Sequence, residues 1–419
     1  MKTNEKDTQQ GIVPALRFPE FLEAGGWVYL KGDKVFEQIS NRKHSSNLPI
    51  LAISQEHGAV PRDLIDYKVI VSDEGLENYK VVERGDFIIS LRSFQGGIEY
   101  SAYNGICSPA YIILRKRLDV DNQFFKYYFK SRAFIQDLNK NLEGIRDGKM
   151  VSYKQFSEIL LPIPSISNKA EQQKIADCLS SIDALIKAAE NKIDELKAHK
   201  KGLMQQLFPA EGETVPALRF PEFQNAGEWT KISLGELTYK VSKKNKAGKL
   251  YPIYSINNKQ GFIRQEEQFT GVDSNDRGYD LSLYSIVGSK TFAYNPARIN
   301  VGSIGYSGDL KDVIISSLYV CFKTSETVND EFLLKYFETE SFKKAVLNSV
   351  EGGIRSYLFY DNFAKINLYL PPNYDTAEQQ KIADCLSSVD NLIIAQTNRF
   401  EALKAHKKGL MQQLFPNIE

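Results

Sequence analysis

The sequence lacks the features that would place it in a membrane or outside the cell. No run approaches the roughly 18 consecutive apolar residues that a membrane-spanning helix needs. The N-terminus, MKTNEKDTQQGIVPALRF, has no apolar stretch of the kind found in secretory signals. We therefore expect a cytoplasmic protein that does not associate with membranes.

Residues that carry catalytic or metal chemistry are also scarce. The four cysteines form no CxxC pair, which argues against structural zinc and a disulfide framework. The four histidines form no HExxH motif, and no GxxxxGK[ST] phosphate loop is present. Asn295-Pro296-Ala297-Arg298 begins like the Asn-Pro-Pro-aromatic motif of adenine methylation but lacks the second proline and the aromatic residue. We expect no catalytic residue and no metal site in this chain.

The net charge is small, at +1. It neither supports nor excludes nucleic-acid binding, because phosphate binding needs a local basic surface rather than a basic total. A chain of 419 residues with 42% hydrophobic residues is long enough for two or three domains with real cores.

One long stretch occurs twice. Residues 170–209 and 377–416 both begin AEQQKIADCLSS and end LKAHKKGLMQQLFP, and they are identical at 31 of 40 positions. A repeat this close is not chance. In both copies the apolar residues recur at alternating steps of 4 and 3, the spacing of a coiled-coil seam. The predicted seam residues are Ile175, Leu179, Ile182, Ile186, Ile193 and Leu196 in the first copy, and Ile382, Leu386, Val389, Ile393, Phe400 and Leu403 in the second.

Two lysines, Lys200 and Lys407, fall on this seam. They either fix the register between the helices, as a polar seam residue can, or extend out of the seam into water.

A shorter motif, VPALRFPEF, is also repeated, at residues 13–21 and 215–223. The chain is therefore two units in tandem, 1–209 and 210–419. In a pseudo-twofold arrangement of these units, we expect the long helices to run antiparallel and the chain near Val13 to lie beside the chain near Pro416.

The regions between the repeats have diverged, and each is predicted to be a mixed α+β domain. Amphipathic helices are expected over residues 122–138 and 330–347. At the start of the long helices, Asn168 with Glu171 and Asp375 with Glu378 are predicted capping boxes.

The predicted fold class is α+β: two similar mixed α/β domains are separated by two long antiparallel coiled-coil helices, related by a pseudo-twofold internal repeat. The predicted boundaries are an N-terminal segment at 1–21, a first domain at 22–165, a first helix region at 166–209, a linker with the repeated motif at 210–223, a second domain at 224–372 and a C-terminal helix region at 373–419.

This organisation resembles the specificity subunit of type I restriction–modification enzymes over essentially the whole chain. The resemblance rests on the VPALRFPEF motif, the strand-then-proline segments at 160–164 and 367–371, and the AEQQKIADCLSS helix start. It implies that the middle domains are target recognition domains, each reading one half of a bipartite DNA site. It also implies that the helices set the spacing between the halves.

The same resemblance implies the partners. They are double-stranded DNA, two methyltransferase (modification) subunits docked on the helices, and restriction/translocase subunits that serve defence against foreign DNA. The chain itself is then non-catalytic and binds no cofactor, while S-adenosylmethionine, ATP and magnesium belong to the partner subunits.

Two groups of residues are candidates for reading DNA. The first follows a predicted strand in each unit, where amides could bond adenine in the major groove; the alternative is a solvated turn. It contains Ser54 and Gln55, and Asn257 and Asn258. The second combines basic, amide and aromatic side chains with glycines that permit close backbone approach. It contains Arg92 and Gln95, and Lys290, Tyr294, Arg298 and Asn300.

Further residues are candidates for phosphate contact. A Gly-Ile-Arg triplet occurs in both domains and supplies Arg146 and Arg355, and an arginine kept where its surroundings differ is expected to hold phosphate or structure rather than read a base. Lys243 and Lys244 lie in a lysine-rich stretch, although such stretches are usually solvated faces.

The main alternative function is a coiled-coil assembly adaptor that does not bind DNA. The divergence of both middle domains beside near-identical helices argues against it, because an adaptor has no reason to vary both.

Overall fold

The computed structural model describes residues 9–44, 47–65, 75–140, 151–164, 169–349 and 357–416. The chain divides into two compact units. The first is residues 1–190 with 398–419, and the second is residues 191–397.

The first unit contains four sheets and several short helices. Its strands are β1 (Gln9–Ile12), β2 (Trp27–Lys31), β3 (Phe36–Ile39), β4 (Leu51–Ser54), β5 (Gly58–Pro61), β6 (Lys80–Val82), β7 (Phe87–Ile89), β8 (Glu99–Tyr100), β9 (Gly105–Cys107), β10 (Ile112–Lys116) and β11 (Leu160–Ile163). Its helices are α1 (Gly32–Val35), α2 (Ser93–Gly96), α3 (Asn122–Tyr128), α4 (Arg132–Lys140), α5 (Tyr153–Glu158) and the first half of α6 (Ala170–Leu207). The sheet orders are β1-β2-β11, β3-β10-β7-β8, β4-β5 and β6-β9.

The second unit contains three sheets, of two, four and five strands, and several short helices. Its strands are β12 (Thr230–Ser233), β13 (Thr238–Val241), β14 (Lys243–Lys244), β15 (Ile253–Asn257), β16 (Gly261–Arg264), β17 (Ser285–Val287), β18 (Phe292–Tyr294), β19 (Ile304–Tyr306), β20 (Val313–Ile315), β21 (Val320–Thr324) and β22 (Asn367–Leu370). Its helices are α7 (Leu234–Leu237), α8 (Gln265–Gln268), α9 (Asp330–Tyr336), α10 (Glu340–Ser349), α11 (Tyr360–Phe363) and the first half of α12 (Thr376–Leu414). The sheet orders are β12-β22, β13-β21-β18-β19 and β14-β17-β20-β15-β16.

The antiparallel four-stranded sheet shows that the two units share one fold. β3-β10-β7-β8 matches β13-β21-β18-β19 strand for strand. The register agrees as well, with Phe87 opposite Tyr100 in the first unit and Phe292 opposite Tyr306 in the second. The predicted fold class is confirmed.

Each long helix begins in one unit and ends in the other. In the first unit, Ile175 and Leu179 near the start of α6 share a buried core with Leu414 and Phe415 at the end of α12. The Phe415 ring meets the Phe124 ring at 5.4 Å between centroids. In the second unit, the start of α12 and the end of α6 share a core in the same way, and the Phe208 ring lies 5.2 Å from that of Phe332.

The predicted seam residues are buried or half-buried along both helices. In the first unit, Leu179 shares a core with Leu414, and Asp183, one turn later on α6, pairs with Lys407, nearly two turns earlier on α12. The two helix segments in this unit therefore run in opposite directions, as predicted.

The seam lysines are paired with carboxylates. Lys407 Nζ lies 2.6 Å from Asp183 in the first unit, and Lys200 Nζ lies 2.7 Å from the equivalent Asp390 in the second. Burial lowers the pKa of Lys200, but Glu338 and Asp390 outweigh it and raise the pKa above its ordinary value. Both ammonium groups therefore end on carboxylates of the facing helix rather than in water alone.

A buried ion pair joins the VPALRFPEF motif to the first turn of a long helix in each unit. The Arg17 guanidinium donates to both carboxylate oxygens of Glu171, at 2.7 and 2.8 Å. Arg219 does the same to Glu378, at 2.7 Å for both bonds. All four side chains are at most 6% exposed. The indole Nε1 of Trp27 adds a third bond to Glu171, at 3.2 Å.

These contacts correct the predicted capping boxes. Asp375 does cap α12, because its carboxylate accepts the backbone N–H groups of Ala377 and Glu378. The Glu378 carboxylate, however, is bonded to Arg219 rather than turned back to the cap. Asn168 lies outside the described residues.

The predicted closeness of residues 13 and 416 is confirmed in the first unit. The backbone N–H of Leu16 donates to the carbonyl of Gln413 at 3.0 Å. In the second unit Leu218 donates to Gln206 at 2.9 Å, the equivalent pair of positions.

The helices predicted over 122–138 and 330–347 are each broken in two. The Ser131 hydroxyl accepts the N–H of Phe134, and the Thr339 hydroxyl accepts the N–H of Phe342, so each residue caps a new helix in the middle of the predicted one.

Glu171→Ala should lower the free energy of unfolding by about 3–5 kcal/mol, because it leaves the buried Arg17 guanidinium without its counter-charge. Glu20→Ala is the matched control. Glu20 joins the same motif to the same helix through Lys174 at 2.9 Å, but both side chains are about half exposed, so no measurable loss is expected. Urea unfolding of the full chain measures both variants. Equal effects from the two substitutions would contradict the assignment of stability to the buried pair.

Candidate nucleic-acid interface

The first unit brings together the two groups of candidate reading residues. The tip of the β4–β5 hairpin, residues 54–57, lies against the single turn α2. The side-chain amide of Gln55 donates to the backbone carbonyl of Arg92 at 3.1 Å. Gln55, Arg92 and Gln95 are exposed. Ser54 is half-buried, and its hydroxyl accepts the N–H of His57, which closes the hairpin tip.

The second unit has the same arrangement with other side chains. Asn257 closes the tip of the β15–β16 hairpin, since its side-chain oxygen accepts the N–H groups of Lys259 and Gln260. The turn at residues 298–302 lies beside this hairpin, where the Ser303 hydroxyl donates to the carbonyl of Ile256 at 2.9 Å. Asn258, Arg298 and Asn300 are exposed.

Arg92 and Arg298 occupy equivalent positions, a relation that the sequence comparison did not establish. Each follows the matching strand, β7 or β18, and starts one helical turn. Each turn ends at a glycine with positive φ, Gly97 at 80° and Gly302 at 87°. We name each hairpin tip together with its turn a reading tip: residues 54–57 with 92–97, and residues 257–260 with 298–302.

Tyr294 was predicted to contact DNA, and this prediction is wrong. The side chain is fully buried on β18. Its hydroxyl donates to the backbone carbonyl of Leu358 at 3.1 Å. The glycine- and amide-rich sequence around Tyr294 suggested a surface loop. Tyr294 lies instead in β18, which pairs with β21 on one side and β19 on the other.

The lysine candidates are not part of the second reading tip. Lys290 is exposed with φ of 52°, but it precedes β18, whereas Arg298 follows that strand. Lys243 and Lys244 form β14, at the edge of the five-stranded sheet opposite β16. The Lys244 ammonium also donates to the Leu283 carbonyl and the Ser285 hydroxyl, both at 3.3 Å. Arg146 and Arg355 lie outside the described residues.

A cleft that was not expected from the sequence lies beside the second reading tip. It has a volume of about 310 Å³ and is lined by Tyr254, Gln260, Phe262, Arg264 and Glu267, among others. Phe262 and Arg264 alternate on one face of β16, and this alternation was a usable signal.

The described ranges give little support for thiol chemistry or for metal binding. Burial raises the pKa of Cys107 to about 12 and that of Cys321 to about 11, so these thiols stay protonated. No group of three or more His, Cys, Asp or Glu residues in these ranges could hold a metal ion. No helix there is long and apolar enough to span a membrane.

Two similar units share two long helices, and each presents an amide and an arginine side chain beside one another. A family model described as the type I restriction modification DNA specificity domain matches residues 26–198 and again 226–405. The matches span most of the chain, which therefore belongs to this family and is a non-catalytic DNA specificity subunit of a type I restriction–modification system.

Two relatives from Methanocaldococcus jannaschii resemble most of the chain. The type I restriction enzyme MjaVIII specificity subunit is 25% identical over 354 residues, 80% of this chain and 79% of the relative. The type I restriction enzyme MjaIX specificity subunit is 23% identical over 381 residues, 84% of each.

Solved structures show the same fold. The S subunit of a type I restriction-modification system from M. genitalium has a TM-score of 0.56 at 15% identity, covering 97% of this chain and 100% of that chain. A chain from a structural study of complex assembly in the type I R-M system has a TM-score of 0.57 at 15% identity, covering 93% and 97%.

Gly97→Ala should disrupt the first reading tip. A methyl group at this position would lie 1.9 Å from the carbonyl oxygen of Phe129, in addition to the unfavourable positive φ. We expect a loss of about 3 kcal/mol or more in unfolding free energy. Gly302→Ala is the matched control, because its methyl group would meet nothing closer than 3.8 Å. Its unfolding free energy should fall only by about 1–2 kcal/mol, the cost of a positive φ for a residue that carries a Cβ atom. Urea unfolding of both variants tests this, and equal losses would contradict it.

Proposed function

We propose that each unit reads one half of a bipartite, asymmetric site on duplex DNA through its reading tip. The recognition domains are residues 22–165 and 224–372 in this proposal. The observation that carries it is the convergence, in both units, of an exposed amide at a hairpin tip with an exposed arginine at the start of a helical turn: Gln55 with Arg92, and Asn258 with Arg298.

The chemistry of these side chains suits the major groove. Arginine can bond the O6 and N7 atoms of guanine bidentately, and asparagine or glutamine can bond adenine. The two tips share a frame but differ in side chains. Gln95 in the first turn corresponds to Val301 in the second, as the third residue after the arginine. Different side chains on one frame are what reading two unlike half-sites requires.

The remaining basic candidates would hold the DNA backbone. Lys243, Lys244 and Lys290 are exposed, and they would neutralise phosphates without reading bases. Arg146 and Arg355 are proposed for the same role from the sequence alone.

The long helices would set the distance between half-sites and dock two methyltransferase subunits. α6 has 38 residues and α12 has 39, which gives rods of roughly 57 Å. Some exposed residues are identical in the two copies, including Leu185 with Leu392 and His199 with His406. The fold does not require identity at exposed positions, so this supports two equivalent docking faces for two copies of one partner.

The partner subunits would supply the chemistry. Methyltransferase subunits would bind S-adenosylmethionine and methylate a flipped adenine in each half-site. Restriction/translocase subunits would use ATP and magnesium. The alternative, a coiled-coil adaptor without a DNA role, gives no reason for two reading tips with different side chains.

Genome-wide mapping of N6-methyladenine, in cells expressing this chain with its methyltransferase partner, tests the proposal. A gapped two-part motif is expected. Arg92→Ala should relax a position in one half-site by about 10- to 100-fold, and Arg298→Ala should relax a position in the other, because each removes one base contact. Arg84→Ala is the control, an exposed arginine that precedes β7 rather than following it. If methylation does not depend on this chain, the adaptor function remains. If both variants alter the same half-site, the proposal that each unit reads its own half-site is contradicted.

A further inference from the structure

The turn of the first reading tip is held by side chains from outside it. Single helical turns at a surface usually leave their carbonyl groups to water. Here the carbonyl of Arg92 accepts from Gln55 at 3.1 Å, that of Phe94 from Asn139 at 2.6 Å, and that of Gly96 from Lys130 at 3.0 Å. Three of the five carbonyls between Arg92 and Gly96 are thus fixed by donors from the hairpin and from the α3–α4 region.

Lys130 is itself held by a buried carboxylate. Its ammonium lies 2.5 Å from Oε1 of Glu99, a β8 residue whose side chain is 2% exposed. Burial raises the pKa of Glu99, and Lys130 opposes that shift. Glu99 therefore fixes the position of Lys130, and Lys130 fixes the end of the turn.

Stability does not explain this arrangement. An ion pair between a half-buried lysine and a buried glutamate gains little over apolar side chains of similar volume, because the charges must at least partly leave water. Such a pair does define one geometry, since the Lys130 ammonium donates to Oε1 of Glu99 and to the carbonyl of Gly96 at once. The geometry it defines is that of the backbone carrying the exposed Arg92 and Gln95.

The second unit uses the equivalent positions differently, although its fold is the same. Glu99 lies opposite Ile88, and the matching register in the second unit pairs Gly305 with Ala293. The position of Lys130, two residues after α3, is occupied by Glu338 after α9. Glu338 pairs with Lys200 instead of with the reading tip. The support is therefore particular to the first reading tip and is not part of the common fold.

We propose that Lys130, Glu99 and Asn139 are positioning residues for specificity, which set the base preference of the first half-site by holding the turn at residues 92–97 without contacting bases. This inference rests on the proposed function, because it assumes that this turn reads DNA.

The test uses the full chain in complex with its methyltransferase partner. Duplexes carry the site mapped for the wild-type complex, together with every single-base change in each half. Lys130→Met should reduce discrimination at one or more positions of one half-site by about tenfold or more, as the loss of one base contact would. Discrimination in the other half-site should be unchanged. Lys130→Arg, which can still donate to Glu99 and to the Gly96 carbonyl, should restore most of it.

A second variant does not disturb the buried charges. Asn139→Leu removes only the bonds to the carbonyls of Phe94 and Ile135. It should relax the same half-site even if Lys130→Met does not fold. Lys169→Met is the matched control, because it removes the Lys169–Asp119 pair at 2.8 Å in the same unit and leaves the turn untouched.

Two results would overturn the inference. One is full discrimination in both Lys130→Met and Asn139→Leu. The other is an equal loss of affinity for matched and mismatched duplexes, which would make Lys130 a phosphate contact. If the wild-type complex yields no gapped site at all, the proposed function fails, and this outcome is separate from either result.

Discussion

The buried pair between an arginine of the VPALRFPEF motif and a glutamate in the first turn of a long helix is the contact on which both units depend. A guanidinium and a carboxylate removed from water are tolerated only when they meet with good geometry. Arg17 with Glu171, and Arg219 with Glu378, meet this condition through two bonds each. They tie the chain that enters each unit to the helix that leaves it. The exchange of helix ends, with Phe208 and Phe415 inserted in the two cores, completes the frame.

Much of this frame could be predicted from the sequence, because it is encoded by repeats and by local periodicity. The seam, the helix direction and the meeting of residues 13 and 416 all follow from two repeated segments. The ion pair of Glu171 could not be predicted, because a glutamate three residues after a cap residue is also the signature of a capping box. Only the position of Arg17, far away in sequence, decides between the two.

The individual residues of the reading tips could be predicted from the sequence, but their grouping into two sites could not. Asn257 and Arg298 were both selected for their chemistry, yet their closeness depends on contacts between distant strands. The prediction that Tyr294 contacts DNA was wrong because its neighbours in sequence are polar, whereas its strand, β18, pairs with a strand on each side. The contacts of Lys130 with Glu99 and with the Gly96 carbonyl could not be predicted either, because they join residues that are far apart in sequence. In the proposed function, a constant frame whose two tips differ in side chains would let one fold serve two different half-sites.

The central claim is that the two units read DNA independently on a shared frame. Replacing residues 22–164 with the corresponding domain of another family member, followed by mapping of N6-methyladenine in the genome, tests it most directly. The account predicts that one half of the methylated motif changes, while the other half keeps its bases. A change in both halves would contradict it.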